Sequence, residues 1–317
     1  MAGSPDNVLP GREHSGEITM SKAVGVVGLG IMGGAISGSL AASGWRVAGF
    51  DIDRGRRHEV ASIGIREART ITDLVNEVDI ILTSLPNPAA LHATVEAVCA
   101  VKATRKVVIE ASTLALEDKL LMKEALAAAG HIPLDCPISG TGAQAKQRDL
   151  VVYASGNAKA IAELRPFFLS FARQVFDVGE FGNGSKVKFV ANLLVAINNV
   201  ATAEAMVLAE RAGLDLNRMV EWIGAGAATS RIFEKRAPLM AADHYSQATM
   251  KLSVWQKDIA VISRFAHDLD SPTPLFTATL PVYAAAIAKR PADDDTASVC
   301  AVLQDMASAK TNTGSQD

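Results

Sequence analysis

From residue 22 to residue 178 short apolar runs alternate with stretches of helical period, and near Gly184 that alternation stops. The apolar runs cover 22–28, 45–51, 79–86, 106–112, 131–138, 150–155 and 174–178. Helical stretches at 31–43 (closed by Gly44), 88–99, 114–129 and 157–170 separate most of them. Strands that alternate with helices predict an α/β domain built on a parallel, doubly wound sheet with both faces covered. Beyond Gly184 no strand pattern remains. Residues 186–211 predict one helix of about 39 Å, ended by Gly213. Its centre, VANLLVAINNVATAEAMVLA, is apolar or small almost all round, so it is expected to be buried on every side. The expected organisation is a flexible leader (1–20), an α/β domain (21–184), an all-helical domain (185–310) and a short tail (311–317).

A chain of 317 residues has room for two such cores. Lys and Arg number 31 against 34 Asp and Glu, a net charge of −3 that leaves no cationic footprint for nucleic acid or an anionic membrane surface. No run approaches the ~20 uninterrupted apolar residues of a membrane span. The first twenty residues mix Pro, Gly and charge without a signal-peptide core, and Met20 is an alternative first residue. Cys99, Cys136 and Cys300 are scattered, with no CxxC and no metal-ligand spacing. They point to a reducing cytoplasm, no disulfide framework and no metal.

Gly28-Leu29-Gly30-Ile31-Met32-Gly33 is a GxGxxG sequence between a predicted strand and a predicted helix, and Asp51 ends the next strand 18 residues later. In that context Gly28 makes the turn, Gly30 admits a pyrophosphate, and Gly33 allows close helix packing. The helix N-terminus offers unpaired N–H groups to the phosphates. Asp51 at an adenosine ribose favours NAD, with NADP possible because Arg54, Arg56 and Arg57 follow closely. By themselves those arginines read as a solvated helix start.

Five further segments carry a family resemblance over about residues 21–310. They are SLPNPAAL (84–91), EASTLALED (110–118), DCPISGTGAQAKQRDL (135–150), GNGSKVKFVANLL (182–194) and Gln256-Lys257-Asp258. With GLGIMG, and in this order, they resemble the β-hydroxyacid dehydrogenase family, which includes 3-hydroxyisobutyrate dehydrogenase, tartronate semialdehyde reductase, threonate dehydrogenase and relatives of 6-phosphogluconate dehydrogenase. The resemblance implies a Rossmann-type domain followed by an all-α domain. It implies reversible, nicotinamide-dependent oxidation of a small hydroxy acid to an oxo or semialdehyde acid, by a homodimer or homotetramer. It places Leu85, Pro86, Ser112 and Thr113 near the cofactor, and brings Lys257 towards it from the helical domain. Ser139, Gly140 and Thr141, in the loop after the 131–138 strand, would bind the substrate carboxylate.

The resemblance makes Lys188 the acid/base. Lys188 opens an otherwise apolar helix, and Asn192, at i+4, projects from the same face and would orient the lysine or the substrate hydroxyl. Read alone, Lys188 is a snorkelling lysine, and Lys186 lies on another, exposed face. Burial would lower its reference pKa of ~10.4 towards the range of a useful base. The chain departs from the family pattern at Thr141 and Arg148, where glycines are usual, and at Ala191, where an Asn is usual. Arg148, with Lys146 and Arg231, would suit a more anionic substrate. The alternatives are an imine reductase on the same fold, which Lys188 disfavours, and a non-catalytic nucleotide-binding protein.

Overall fold

The structure, a computed structural model, describes residues 22–102 and 105–308. The expected leader, the tail and Met20 lie outside the described residues. The first part of the chain runs β1 (Ala23–Val27), α1 (Ile31–Ala42), β2 (Arg46–Phe50), α2 (Arg54–Ala61), β3 (Arg66–Glu67), α3 (Ile71–Glu77), β4 (Ile80–Thr83), α4 (Pro88–Cys99), β5 (Val107–Glu110) and α5 (Leu116–Ala128). It continues with β6 (Ile132–Asp135), β7 (Ile138–Ser139), α6 (Gly142–Lys146), β8 (Leu150–Gly156), α7 (Ala158–Glu163), α8 (Arg165–Phe168) and β9 (Ala172–Asp177). The strands form one sheet in the order β3-β2-β1-β4-β5-β6-β8-β7, with β9 also on β8. Alternate strand residues serve opposite faces, as the pleat requires. Ile80, Leu82, Val107 and Ile109 pack with Ile36 and Leu40 of α1, while Ile81 and Val108 pack with Leu91 and Val98 of α4.

Several expectations need correction. From β3 to β6 the sheet is parallel, but β8 runs antiparallel to β6 and β7. The link from β7 to β8 is shorter than the dozen or so residues of a parallel crossover. The strand expected over 131–138 is two strands, interrupted at Cys136 and Pro137. Ser139 therefore ends β7 rather than opening a loop. The helix expected over 157–170 is divided at Leu164, because Pro166 has no N–H to continue the i→i−4 ladder and sits instead in the first turn of α8. The short α3, capped by Thr70, and the two-residue β3 have too little pattern to be seen in the sequence.

The helical part comprises α9 (Asn183–Arg211), α10 (Leu216–Gly224), α11 (Arg231–Ala241), α12 (Leu252–Asp268), α13 (Pro274–Lys289) and α14 (Val299–Ser308). All five later helices pack against α9. By length and composition alone α9 is apolar enough to cross a membrane. Its buried face instead carries Lys188, Asn192 and Asn199 among Phe189, Ala196 and Val200. It is also not buried on every side, since Val190, Leu194 and Leu208 are exposed.

One buried ionic cluster ties sheet to helices. Register places Glu110 of β5 beside Asp135 of β6. Lys119 of α5 reaches between them, 2.7 Å from Glu110 Oε2 and 2.8 Å from Asp135 Oδ1, and donates to the Ser112 carbonyl at 2.7 Å. All three charged side chains are fully buried. Burial alone would pull the Lys119 pKa down, but Asp135 and Glu110 outweigh it and push it up. Asp135 Oδ2 also accepts the backbone N–H of Ser185 at 2.8 Å, in the first turn of α9. Lys119→Met leaves two adjacent carboxylates without a cation, and is expected to lower stability in urea unfolding by about 3–5 kcal/mol. A loss under ~1 kcal/mol would show the cluster to be dispensable.

Candidate active site

The turn from β1 to α1 is built around Gly28, whose φ of +90° suits glycine, and whose N–H donates to the Phe50 carbonyl at 2.8 Å. A Cβ on Gly33 would lie 1.9 Å from the Gly28 carbonyl oxygen, so only glycine lets α1 start this close to the strand. Asp51, buried at the end of β2, accepts the N–H of Leu29 at 2.7 Å and of Asp53 at 2.9 Å. That fixes the carboxylate at the mouth of the turn. Asp53, Thr70 and Asn87 cap α2, α3 and α4, whereas α1 has Gly30 at its N-cap and no side-chain cap. The first N–H groups of α1, around exposed Ile31 and half-buried Met32, are left for an external acceptor. The Arg56 guanidinium lies over Gly30, 2.9 Å from where a Cβ would stand. A diphosphate fits this donor set. Arg54 is exposed, but Arg57 is not part of a solvated helix start: it is buried, bonds the Asp51 carbonyl and pairs with Glu67 at 2.9 Å.

Two turns at the ends of β4 and β5 continue this edge. The Leu85 N–H donates to Ser112 Oγ at 2.7 Å, which locks the Leu85-Pro86 turn to the 112–113 turn. Across from them stands the helical part. Lys257 of α12 donates to the Thr113 carbonyl, bridging the two parts, and pairs with Asp258 at 2.8 Å. Asn192 Nδ2 donates to the other oxygen of Asp258 at 2.8 Å. Lys188 is buried one turn before Asn192, and Lys186 is exposed. Burial draws the Lys188 pKa down to about 8; Asp258 opposes that shift and Lys257 adds to it. The arrangement holds an amine near the point where it exchanges a proton at neutral to mildly basic pH.

The substrate-loop candidates form the β7–α6 corner. Gly140 has φ +136°, and a Cβ there would meet Leu150 at 2.5 Å. Thr141 has ordinary extended φ and ψ and caps α6, with Gln144 completing a reciprocal capping box. Its departure from glycine is therefore sterically free. Helix α6 also packs on α1, and a Cβ on Gly142 would lie 2.6 Å from Ile31 Cγ2.

Comparison with known proteins agrees with this geometry. Residues 23–179 match the family described as the NAD binding domain of 6-phosphogluconate dehydrogenase. Residues 182–303 match that described as NAD-binding of NADP-dependent 3-hydroxyisobutyrate dehydrogenase. An L-threonate dehydrogenase of Haemophilus influenzae is 30% identical over 258 residues, 80% of this chain and 85% of that protein. The chain belongs to the β-hydroxyacid dehydrogenase family. A member from Pseudomonas aeruginosa, an NAD-dependent L-serine dehydrogenase, is 27% identical over 83% of this chain and 91% of that protein. The crystal structure of a 3-hydroxyisobutyrate dehydrogenase from Salmonella typhimurium aligns with TM-score 0.80 and 28% identity, over 88% of this chain and 99% of that one. This β-hydroxyacid dehydrogenase acts on CH–OH groups and uses a nicotinamide cofactor.

Sequence reasoning named Asp258 within the Gln256-Lys257-Asp258 motif but gave it no role, and it touches both Lys257 and Asn192. The signal was present: Leu252, Trp255, Ile259 and Ile262 trace the buried face of α12, and Asp258 falls on that face. Of the cations proposed for an anionic substrate, Lys146 and Arg148 are exposed and Arg231 pairs with Glu234 on its own helix at 2.8 Å. Arg148 has φ +56°, a left-handed conformation that explains why glycine is usual there. Arg148→Gly is expected to raise unfolding stability by up to ~1 kcal/mol with catalysis unchanged. Lower stability in urea titration would assign the arginine a contact that outweighs its backbone strain.

Proposed function

We propose that the chain is an NAD-dependent dehydrogenase that moves hydride between nicotinamide and a small hydroxy acid of the 3-hydroxyisobutyrate, glycerate or threonate type. The observation that carries this reading is the buried Lys188 amine beside the Asn192–Asp258 pair, its pKa brought to about 8 by burial. The nicotinamide, when bound, supplies the hydride acceptor. Gly28, Leu29, Gly30, Ile31, Met32 and Gly33 would hold the diphosphate, Asp51 the ribose, and Leu85, Pro86, Thr113 and Lys257 the nicotinamide side. Ser139, Gly140 and Thr141 would take the substrate carboxylate. Neutral Lys188 accepts the hydroxyl proton during oxidation and returns it during reduction, with Asn192 orienting the hydroxyl. The proposed division is a cofactor domain up to residue 184 and a substrate and assembly domain from 185. The exposed Val190 and Leu194 on α9, with Trp222 on α10, suit a homodimer or homotetramer in the cytoplasm.

The test is nicotinamide absorbance with NAD and NADP against a panel of hydroxy acids that includes L-threonate, L-serine, D-glycerate and 3-hydroxyisobutyrate. Lys188→Ala is expected to lower kcat by ~10²–10⁴-fold with cofactor affinity retained; full activity would end its assigned role. Oxidation needs the neutral amine, so kcat/KM should rise with pH through about 8 and level off above it. Because Asp258 raises the Lys188 pKa, Asp258→Asn should move that limb to lower pH. An unmoved limb would assign the titration to another group. Asp51→Ala should narrow the preference for NAD over NADP, and an unchanged ratio would remove Asp51 from cofactor choice.

A further inference from the structure

A cation from the helical part reaches the substrate loop. Gln144, at the third position of α6, folds its side chain back so that Oε1 accepts the Thr141 N–H at 3.2 Å and lies 3.4 Å from the Thr141 hydroxyl. The same oxygen accepts a hydrogen bond from Nζ of Lys235, on α11 across the cleft. The capping box explains the contacts with Thr141, and it does not call for Lys235. Among the described residues Lys235 has no carboxylate within ion-pair distance. Glu234 is taken by Arg231, and Asp149 by Arg173, each at 2.8 Å. Burial draws the Lys235 pKa down; Asp149 and Glu234 oppose that shift, and Arg231 and Arg236 add to it.

The geometry points to Lys235 as a specificity-determining residue that selects substrates carrying a carboxylate, with Gln144 Oε1 occupying the place of a carboxylate oxygen. An amide N–H, a hydroxyl and an ammonium around one oxygen form a donor set that suits an anion better than a neutral amide. The hydroxy acid displaces Gln144 and takes the Thr141 N–H and the Lys235 ammonium together. Gln144 has an alternative anchor, since its Nε2 already donates to Asp149 Oδ2 at 2.9 Å. An ester, amide or simple alcohol would leave the ammonium without an anion. The inference rests on the reading above for the role of the loop, and it adds a contact from the opposite wall of the cleft.

The test is calorimetric titration of 3-hydroxypropionate and of 3-hydroxypropionamide into the NAD-loaded enzyme. The wild type is expected to bind the acid about tenfold more tightly than the amide. Lys235→Met should erase most of that preference, and Lys235→Arg should restore it. Gln144→Glu installs an internal carboxylate on the same donors. It should weaken acid binding about tenfold; Glu keeps the capping box but loses the Nε2 donation to Asp149, so a modestly lower melting temperature with the fold intact is expected. A wild type that binds both probes alike, or neither, overturns the assignment. So does an acid-to-amide ratio unmoved by Lys235→Met, or acid binding unmoved by Gln144→Glu. Nicotinamide reduction is followed in parallel: acid-selective binding without turnover of any hydroxy acid refutes the dehydrogenase reading and leaves Lys235 in place.

Discussion

Two carboxylates that face each other across adjacent parallel strands, with one lysine between them, set the position of everything around the cleft. Glu110 and Asp135 are in register at the ends of β5 and β6, and in a dry interior they would repel each other. Lys119 removes that repulsion, and the remaining negative charge is met by N–H groups rather than water. The Ser112 N–H serves Glu110, and the Ser185 N–H, at the positive end of α9, serves Asp135. One charge balance thereby fixes the 112–113 turn and the origin of the helix that carries Lys188. A buried ion cluster is weak support for overall stability. Its value here is positional, because its partners come from β5, β6, α5 and α9.

A second balance operates at the other wall of the cleft. Asp258 is shared by Lys257, Asn192 and, through space, Lys188. Lys257 takes the direct ion pair, and Asn192 takes the second oxygen. Lys188 is left close enough to feel the carboxylate without being neutralised by it. Burial therefore governs its basicity.

The fold was legible where periodicity and glycine chemistry act locally. GLGIMG with Asp51 located the β1–α1 turn because backbone sterics force glycine at Gly28 and Gly33, and β1, β2, β4 and β5 have continuous apolar runs. Reading failed where neighbours decide the outcome. The break between β6 and β7, and the reversal at β8, depend on which strand a short connection can reach. Arg57 looked like a solvated charge because its partners, Glu67 and the Asp51 carbonyl, come from other elements. The site was half legible. Lys188 and Asn192 share a helical face that spacing reveals, whereas Asp258 meets Asn192, and Lys235 meets Gln144, only through packing of α12 and α11. At Arg148 sequence chemistry pointed to a ligand, and the backbone shows a turn.

The long helix α9 has a consequence beyond the cleft. Val190 and Leu194 lie on the same turns as Lys188 and Asn192, on a flank that is exposed among the described residues. A rigid rod transmits a small rotation along its whole length, so displacing that flank would re-aim Lys188 and Asn192. The genetic target for loss of activity is therefore wider than the residues that meet substrate. It extends along an outer surface where substitutions would pass as harmless if judged on one chain alone.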